Sequence, residues 1–233
     1  MIDYGHYIDE PVPSGEGVVT VGPGERLEDV FILRPGCSAL PYDRIVAMEG
    51  AEVRVCVIVM PGTDAEVPLR VDLAGENASV KLGGAYLCGG RETVSFRTEL
   101  RHRVGHCVSD QLFNGIAGGD AHAEFHGRIV VAPDAQKTEA YQTNHNIVVS
   151  DTARVDTKPQ LEIYADDVKC THGATVGSLN ADEQFYMRSR GIPEKEARIL
   201  QMISFITPVL EMISDPGQRE EVAAEIEKNI RAI

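Results

Sequence analysis

The strongest constraint on this chain is a period of two that runs, with interruptions, from about residue 17 to residue 175. Val53, Val55, Val57 and Val59 alternate with Glu52, Arg54, Cys56 and Ile58. Leu69, Val71 and Leu73 continue the pattern, followed by Ala78, Val80 and Leu82, and then by Val94 and Phe96. Side chains two apart on extended backbone share a face, so this is the signature of half-buried strands. Turn chemistry punctuates it at Pro61-Gly62, Gly75-Glu76-Asn77, Gly83-Gly84, Gly89-Gly90, Gly118-Gly119-Asp120, Pro133-Asp134 and Ser150-Asp151. A polar turn followed by Ala recurs at Ala51, Ala78, Ala121 and Ala153, at irregular spacing. Many short strands without helices between them fit a sandwich, a barrel or a parallel β-helix. Periodicity does not choose among the three.

After Gly177 the period changes. Asn180 and Glu183 form a capping box that opens a helix through Arg190, closed by Gly191. Pro193 suits the first turn of the next helix, in which Ile199, Ile203, Ile206, Leu210 and Ile213 fall at helical spacing. Pro208 lacks a backbone donor and predicts a kink or break between Ser204 and Pro208. The turn Asp215-Pro216-Gly217 precedes a last helix with Val222, Ile226, Ile230 and Ile233 on one face. The expected organisation is an extended lead-in over residues 1–16, a β core over 17–177 and a helical appendage over 178–233.

Composition narrows the function classes. Acidic residues outnumber basic ones, 36 to 22, for a formal charge of −14. Such a surface repels phosphate backbones, and no basic stripe relieves it, so a nucleic-acid role is not expected. No stretch approaches the roughly 18 consecutive apolar residues of a membrane span, and the start MIDYGHYIDEPVPSG lacks the basic and apolar regions of a signal peptide. A cytosolic location is expected. Cys37, Cys56, Cys88, Cys107 and Cys170 are odd in number and scattered, with no Cys-x-x-Cys. Neither a disulfide framework nor a self-contained zinc or ferredoxin-type site fits that spacing. Any iron–sulfur cluster held here needs ligands converging from distant positions or from another subunit. No phosphate-binding loop, dinucleotide fingerprint or nucleophile elbow is present, and a chain without Trp lacks the aromatic platforms of a sugar-cleaving β-helix.

Within the β region, Cys170 and His172 lie two apart on an extended segment and share one face. A soft thiolate beside an imidazole suits iron, zinc or copper(I). His102 with His106 and His122 with His126 form two further spaced pairs, and Glu124 shares the face of the second. A mononuclear metal site from His122, Glu124 and His126 is chemically sensible; histidines on the wet face of a strand give the same pattern. His145 is a lone further candidate.

The segments HRVGHCVSDQLFNGIAGG, AEFHGRIVVAPDAQKTEAYQTN, SDTARVDTKPQLEIYADDVKCTHGATVG and FYMRSRGIP resemble the SufB/SufD family, scaffold subunits of the SUF system of iron–sulfur cluster assembly. LEIYADDV followed by KCTHGATVG is closer to SufD; SufB tends to have Glu-His-Glu where this chain reads Thr171-His172-Gly173. The resemblance implies a right-handed parallel β-helix followed by a small α-helical region, with His172 as the assembly residue and Cys170 as its neighbour. It implies a non-enzymatic scaffold that carries a transient iron–sulfur cluster, or none as isolated. The implied partners are a SufC-like ABC-type ATPase and a SufB-like subunit or a second copy of the chain. Phe185, Tyr186, Arg188 and Arg190 are expected at the ATPase interface, although Phe185 and Tyr186 could equally anchor their helix to the last rung. SufB's functional cysteine would fall near residues 144–146, where this chain has none. The N-terminal helical region of longer members has no counterpart before the first alternating residues. A stable metal-binding β protein and a β-helix carbohydrate enzyme are the competing readings.

Overall fold

Strands whose alternate residues are apolar must find a common interior, and here they do so by coiling. The computed structural model describes residue 12 and residues 14–231, so most of the expected lead-in, and Ile233 of the last helix, lie outside the described residues. Twelve strands follow in order: β1 Val18–Val21, β2 Arg26–Leu33, β3 Arg44–Ala47, β4 Glu52–Val59, β5 Ala65–Leu73, β6 Ser79–Cys88, β7 Thr93–His102, β8 Val108–Ala117, β9 His122–Val131, β10 Glu139–Val148, β11 Arg154–Ile163 and β12 Lys169–Gly177. Odd strands form one six-stranded sheet and even strands another, among the described residues. Every ladder between these strands is parallel. The architecture is therefore a parallel β-helix of about six turns, as the family resemblance implied.

Inward columns run from turn to turn and change from aliphatic to polar along the stack. Val55, Leu82 and Gln111 are successive partners in one column, and Leu69 and Thr98 in another. Phe96, Phe113 and Phe125 interleave across the interior, with ring centroids 5.3 Å and 4.9 Å apart. In the recurring turn–Ala signal, Ala51, Ala78 and Ala121 are fully buried at the corners immediately before β4, β6 and β9.

One punctuation mark is misplaced by sequence reasoning. Gly83 and Gly84 are not a turn; they lie inside β6. A Cβ on Gly84 would meet the Phe113 ring, and one on Gly83 the Met212 sulfur. Their role is to admit neighbouring side chains, a common meaning of glycine within a strand. Gly115 does the same on β8, lying between its register partners Tyr86 and Asn146.

The helices are α1 Ala181–Ser189, α2 Glu194–Leu210 and α3 Pro216–Ile230. Asn180 caps α1 by accepting from the backbone N–H groups of Asp182 and Glu183, and Gly191 takes the expected left-handed conformation at φ 86°. Asp215 caps α3 through the N–H of Gln218. Of the kink or break expected between Ser204 and Pro208, the break does not occur: α2 runs through Pro208 and ends two residues later. The donor that Pro208 lacks belongs to the last turn, which Ile206, Val209 and Leu210 hold in place by burial.

Nor are the helices a loose appendage. Ile199, Met202, Ile206, Val209, Ile213, Val222, Ile226 and Ile230 pack against Cys56, Ile58, Met60, Ala85, Leu87 and Ile116 on the outer face of the even sheet. That packing explains why β4 is apolar on both faces. Burying each such Ile or Leu is worth roughly 1.5–3 kcal/mol. Polar contacts pin the edges, including Arg34 to Glu225 at 2.6 Å and Asn114 Nδ2 donating to the Phe205 carbonyl at 2.7 Å. Among the described residues the odd sheet has no such cover, and it carries ion pairs outside, such as Arg128 with Glu162 at 2.8 Å.

Gly115→Ala should displace Tyr86 and lower stability by about 1–3 kcal/mol. Urea denaturation checks this; an unchanged midpoint would remove the packing role assigned to Gly115.

Candidate functional site

The last turn of the β-helix lacks what every earlier turn has, a following strand. β11 and β12 are the terminal strands of their sheets. β12 holds KCTHGATVG with almost every residue exposed. Cys170 pairs in register with the buried Ala140, and His172 with the buried Gln142. Both therefore belong to the inward column, as the spacing predicts, but no strand among the described residues lies beyond to cover them. Cys170 is half-buried against the core, whereas His172 is exposed. Burial pushes the Cys170 thiol above its ordinary value, opposed by a backbone hydrogen bond from Ala140. A metal would have to displace that proton to bind the thiolate. Cys56 and Cys88 are pushed up to about 12 by burial, and Cys107 is also buried. Cys37 and Cys170 are the cysteines with solvent access.

Beneath Cys170 and His172 the interior turns polar, which the sequence reading missed. Tyr86 Oη donates to Asn146 Oδ1 at 2.6 Å, past Gly115. Asn146 Nδ2 donates to Asn144 Oδ1 at 2.7 Å, and Thr157 Oγ1 donates to the same oxygen at 2.8 Å from the other sheet. Deeper in, Thr98 Oγ1 donates to Gln111 Oε1 at 2.9 Å, and His102 Nε2 meets Ser109 Oγ at 2.8 Å. Gln142 is 1% exposed, and neither its amide nitrogen nor its oxygen has a partner among the described residues. An unmet buried amide is costly, about 1–3 kcal/mol per group. The signal was present in the segment AYQTNHN, where the inward positions 142, 144 and 146 are all amides rather than aliphatics.

With that geometry in hand, comparison with known proteins is decisive. Residues 34–205 match the domain described as SUF system FeS cluster assembly, SufBD core domain. The chain belongs to the SufBD core family. SufD of Escherichia coli, an iron–sulfur cluster assembly protein, is 42% identical over 154 residues, covering 66% of this chain and 36% of its own. A SufBD family protein of Synechocystis is 41% identical over 127 residues, 54% of this chain and 28% of its own. A SufBD family protein of Mycobacterium leprae is 29% identical over 253 residues, 97% of this chain and 64% of its own. This SufBD chain thus spans less than two thirds of each of these relatives. No helix among its described residues is long and apolar enough to cross a membrane.

The remaining candidates of the SufBD chain are scattered. His145 faces outward from β10, away from the His172 column, and its Nδ1 lies 2.8 Å from Thr175 Oγ1 on β12. His102 and His106 do not share a strand face: His102 is buried inside β7, and His106 sits beyond the strand at φ 61°. His122, Glu124 and His126 do share the outer face of β9, but the group of possible ligand atoms that converges is His122, Glu124 and Asp156. Asp156 was invisible to local spacing because it lies on β11.

On α1, Phe185 is 74% exposed and Tyr186 59%, and no residue of the helix is buried. Phe185 therefore does not anchor the helix to the last rung. Arg190 lies over the Tyr186 ring, 5.4 Å from its centroid, and Arg188 is 3.5 Å from Glu194. The helix is tethered instead through Gln201, whose Nε2 donates to the Asn180 carbonyl at 3.0 Å and to Glu183 Oε2 at 2.8 Å. Between α1, α2 and β10 lies a groove of about 770 Å³ lined by Ile147, Leu179, Tyr186, Met187, Leu200 and Phe205.

Burial lowers the His102 pKa from 6.5 to about 4. The depressed value means that the unfolded chain takes up a proton at His102 before the folded one does. The neutral, folded form is fully favoured above about pH 6.5, and stability falls as pH drops from about 6.5 towards 4, by about 3 kcal/mol from this residue. Stability against pH for wild type and His102→Gln checks this, and parallel curves between pH 4 and 6.5 would contradict it.

Proposed function

We propose that this SufBD family member is a SufD-like, non-enzymatic scaffold subunit in iron–sulfur cluster assembly, with the cluster as transient cargo at the uncovered end of the β-helix. The observation that carries the reading is Cys170 and His172 together on a terminal strand paired along one edge only, above a buried amide without a partner among the described residues. Soft sulfur and imidazole nitrogen suit iron. Exposure on an edge suits a cluster that is built and passed on, and it leaves room for ligands from another chain.

The working units are the lead-in over residues 1–16, the β-helix over 17–177 and the helical region over 178–233. A SufB-like subunit or a second copy of this chain pairs with the edges of β11 and β12, because unpaired strand edges are templates for another strand. The backbone N–H groups of Arg154 and Tyr164 point inward to the neighbouring strand. Continuing that ladder turns the N–H of Ile163 to the open edge, and Pro159 occupies an edge position that loses no ladder bond. A SufC-like ABC-type ATPase docks on α1 and the adjoining groove, contributing the energy input for which this sequence has no phosphate loop. Exposed Phe185 and Tyr186 beside Arg188 and Arg190 support that surface, since aromatic and Arg residues dominate interface hot spots.

Anaerobic reconstitution of the complex tests the site. His172→Ala should lower cluster yield by roughly tenfold or more, the scale on which metal sites respond to loss of supporting groups, with the melting temperature almost unchanged because the side chain is exposed. Cys170→Ser should have a smaller effect, because a second subunit can supply thiolate. Normal yield in His172→Ala, or loss only in step with stability, would defeat the assignment.

Phe185→Ala combined with Tyr186→Ala should weaken binding of the ATPase by about 2 kcal/mol or more, roughly thirtyfold. Titration of the co-expressed partner reads this directly. Undiminished affinity would move the docking surface elsewhere.

A further inference from the structure

On the side of the β-helix away from the packed helices, the outer face of the odd sheet assembles a mixed donor set that no adjacent-residue motif spells. The ladder between β9 and β11 pairs Arg154 with His122, Asp156 with Glu124 and Lys158 with His126. His122 Nε2 lies 2.8 Å from Asp156 Oδ2 and 3.9 Å from Glu124 Oε1. One ligand atom from each of the three residues falls within 4.8 Å of the others. Ligands about 2.0–2.2 Å from a common divalent ion at tetrahedral or octahedral angles lie roughly 3–3.6 Å apart, so small side-chain rotations suffice. We propose that His122, Glu124 and Asp156 form a binding site for a divalent first-row transition ion, with water completing the coordination.

One imidazole with two carboxylates favours zinc-like ions over magnesium or calcium, which prefer all-oxygen sites. His126 Nε2 lies 3.7 Å from Glu124 Oε2, outside the converging donor set. Arg97 approaches the same oxygen at 3.7 Å, and Arg154 and Lys158 act electrostatically on Asp156. These cations moderate affinity, and the site is accordingly an exchangeable one. A bound ion would fasten the terminal strand β11 to β9. The site is separate from the Cys170–His172 column, and the inference does not depend on the cluster-assembly reading.

Titration of the whole chain with Co²⁺, followed by visible absorption and by competition with Zn²⁺, tests the proposal. One equivalent should bind with a nitrogen–oxygen visible spectrum and no sulfur-to-cobalt band in the near ultraviolet. His122→Ala and Asp156→Asn should each weaken binding at least tenfold with unaltered melting of the metal-free protein. His126→Ala, and Cys170→Ser combined with His172→Ala, should retain it. Zn²⁺ should raise the melting temperature of wild type and not of Asp156→Asn. Absence of binding at millimolar Co²⁺ would overturn the proposal. So would binding that survives loss of His122 and Asp156, or that disappears only in the Cys170 and His172 variant.

Discussion

A parallel ladder satisfies each strand only through its neighbours, and that dependence governs this molecule. Within the stack, each of β3 to β10 has a parallel neighbour on either side. The hydrophobic interior is continuous for the same reason: a Val or Leu in one turn is covered by the residue in register on the next. The last turn is the exception. β11 and β12 have partners on one side, and their inward side chains are covered on one side as well. Cys170 and His172, the residues proposed to carry the chemistry, occupy that position, where the fold leaves an edge and surface unused.

The interior responds to this asymmetry. In the early turns it is aliphatic, and from β7 onward it admits Thr98, His102, Ser109, Gln111, Gln142, Asn144 and Asn146. Buried amides are tolerated when they bond one another, as the Tyr86–Asn146–Asn144–Thr157 chain does across both sheets. Glycines make room for these polar side chains. Gly115 lets Tyr86 reach Asn146, and Gly127 makes room for the Gln142 amide. Small residues within strands are thus spacing devices here, and they sit where a polar side chain must pass.

The helices solve a separate problem. A sheet with apolar residues on both faces needs a second cover, and α2 and α3 provide it on the even sheet. α1 stays outside that cluster with its aromatic residues in solvent. The same C-terminal region therefore seals the fold with one part and leaves exposed aromatic residues on another.

Much of this was determined by the sequence alone. Period-two alternation specifies strands because backbone geometry places residues i and i+2 on one face, and Asn180, Gly191 and Asp215 mark helix ends because a cap is a contact within three or four residues. Cys170 and His172 could be assigned to one face for the same local reason. Tertiary structure decided what local contacts do not encode. Alternation is identical in a sandwich and in a coil, so parallel pairing emerged from long-range register or from family likeness, and whether Gly83-Gly84 turns the chain depends on Phe113 and Met212, which are distant in sequence. The replacement of His126 by Asp156 in the converging donor set has the same origin, since residues 34 apart become neighbours only when one turn of the β-helix is laid upon another.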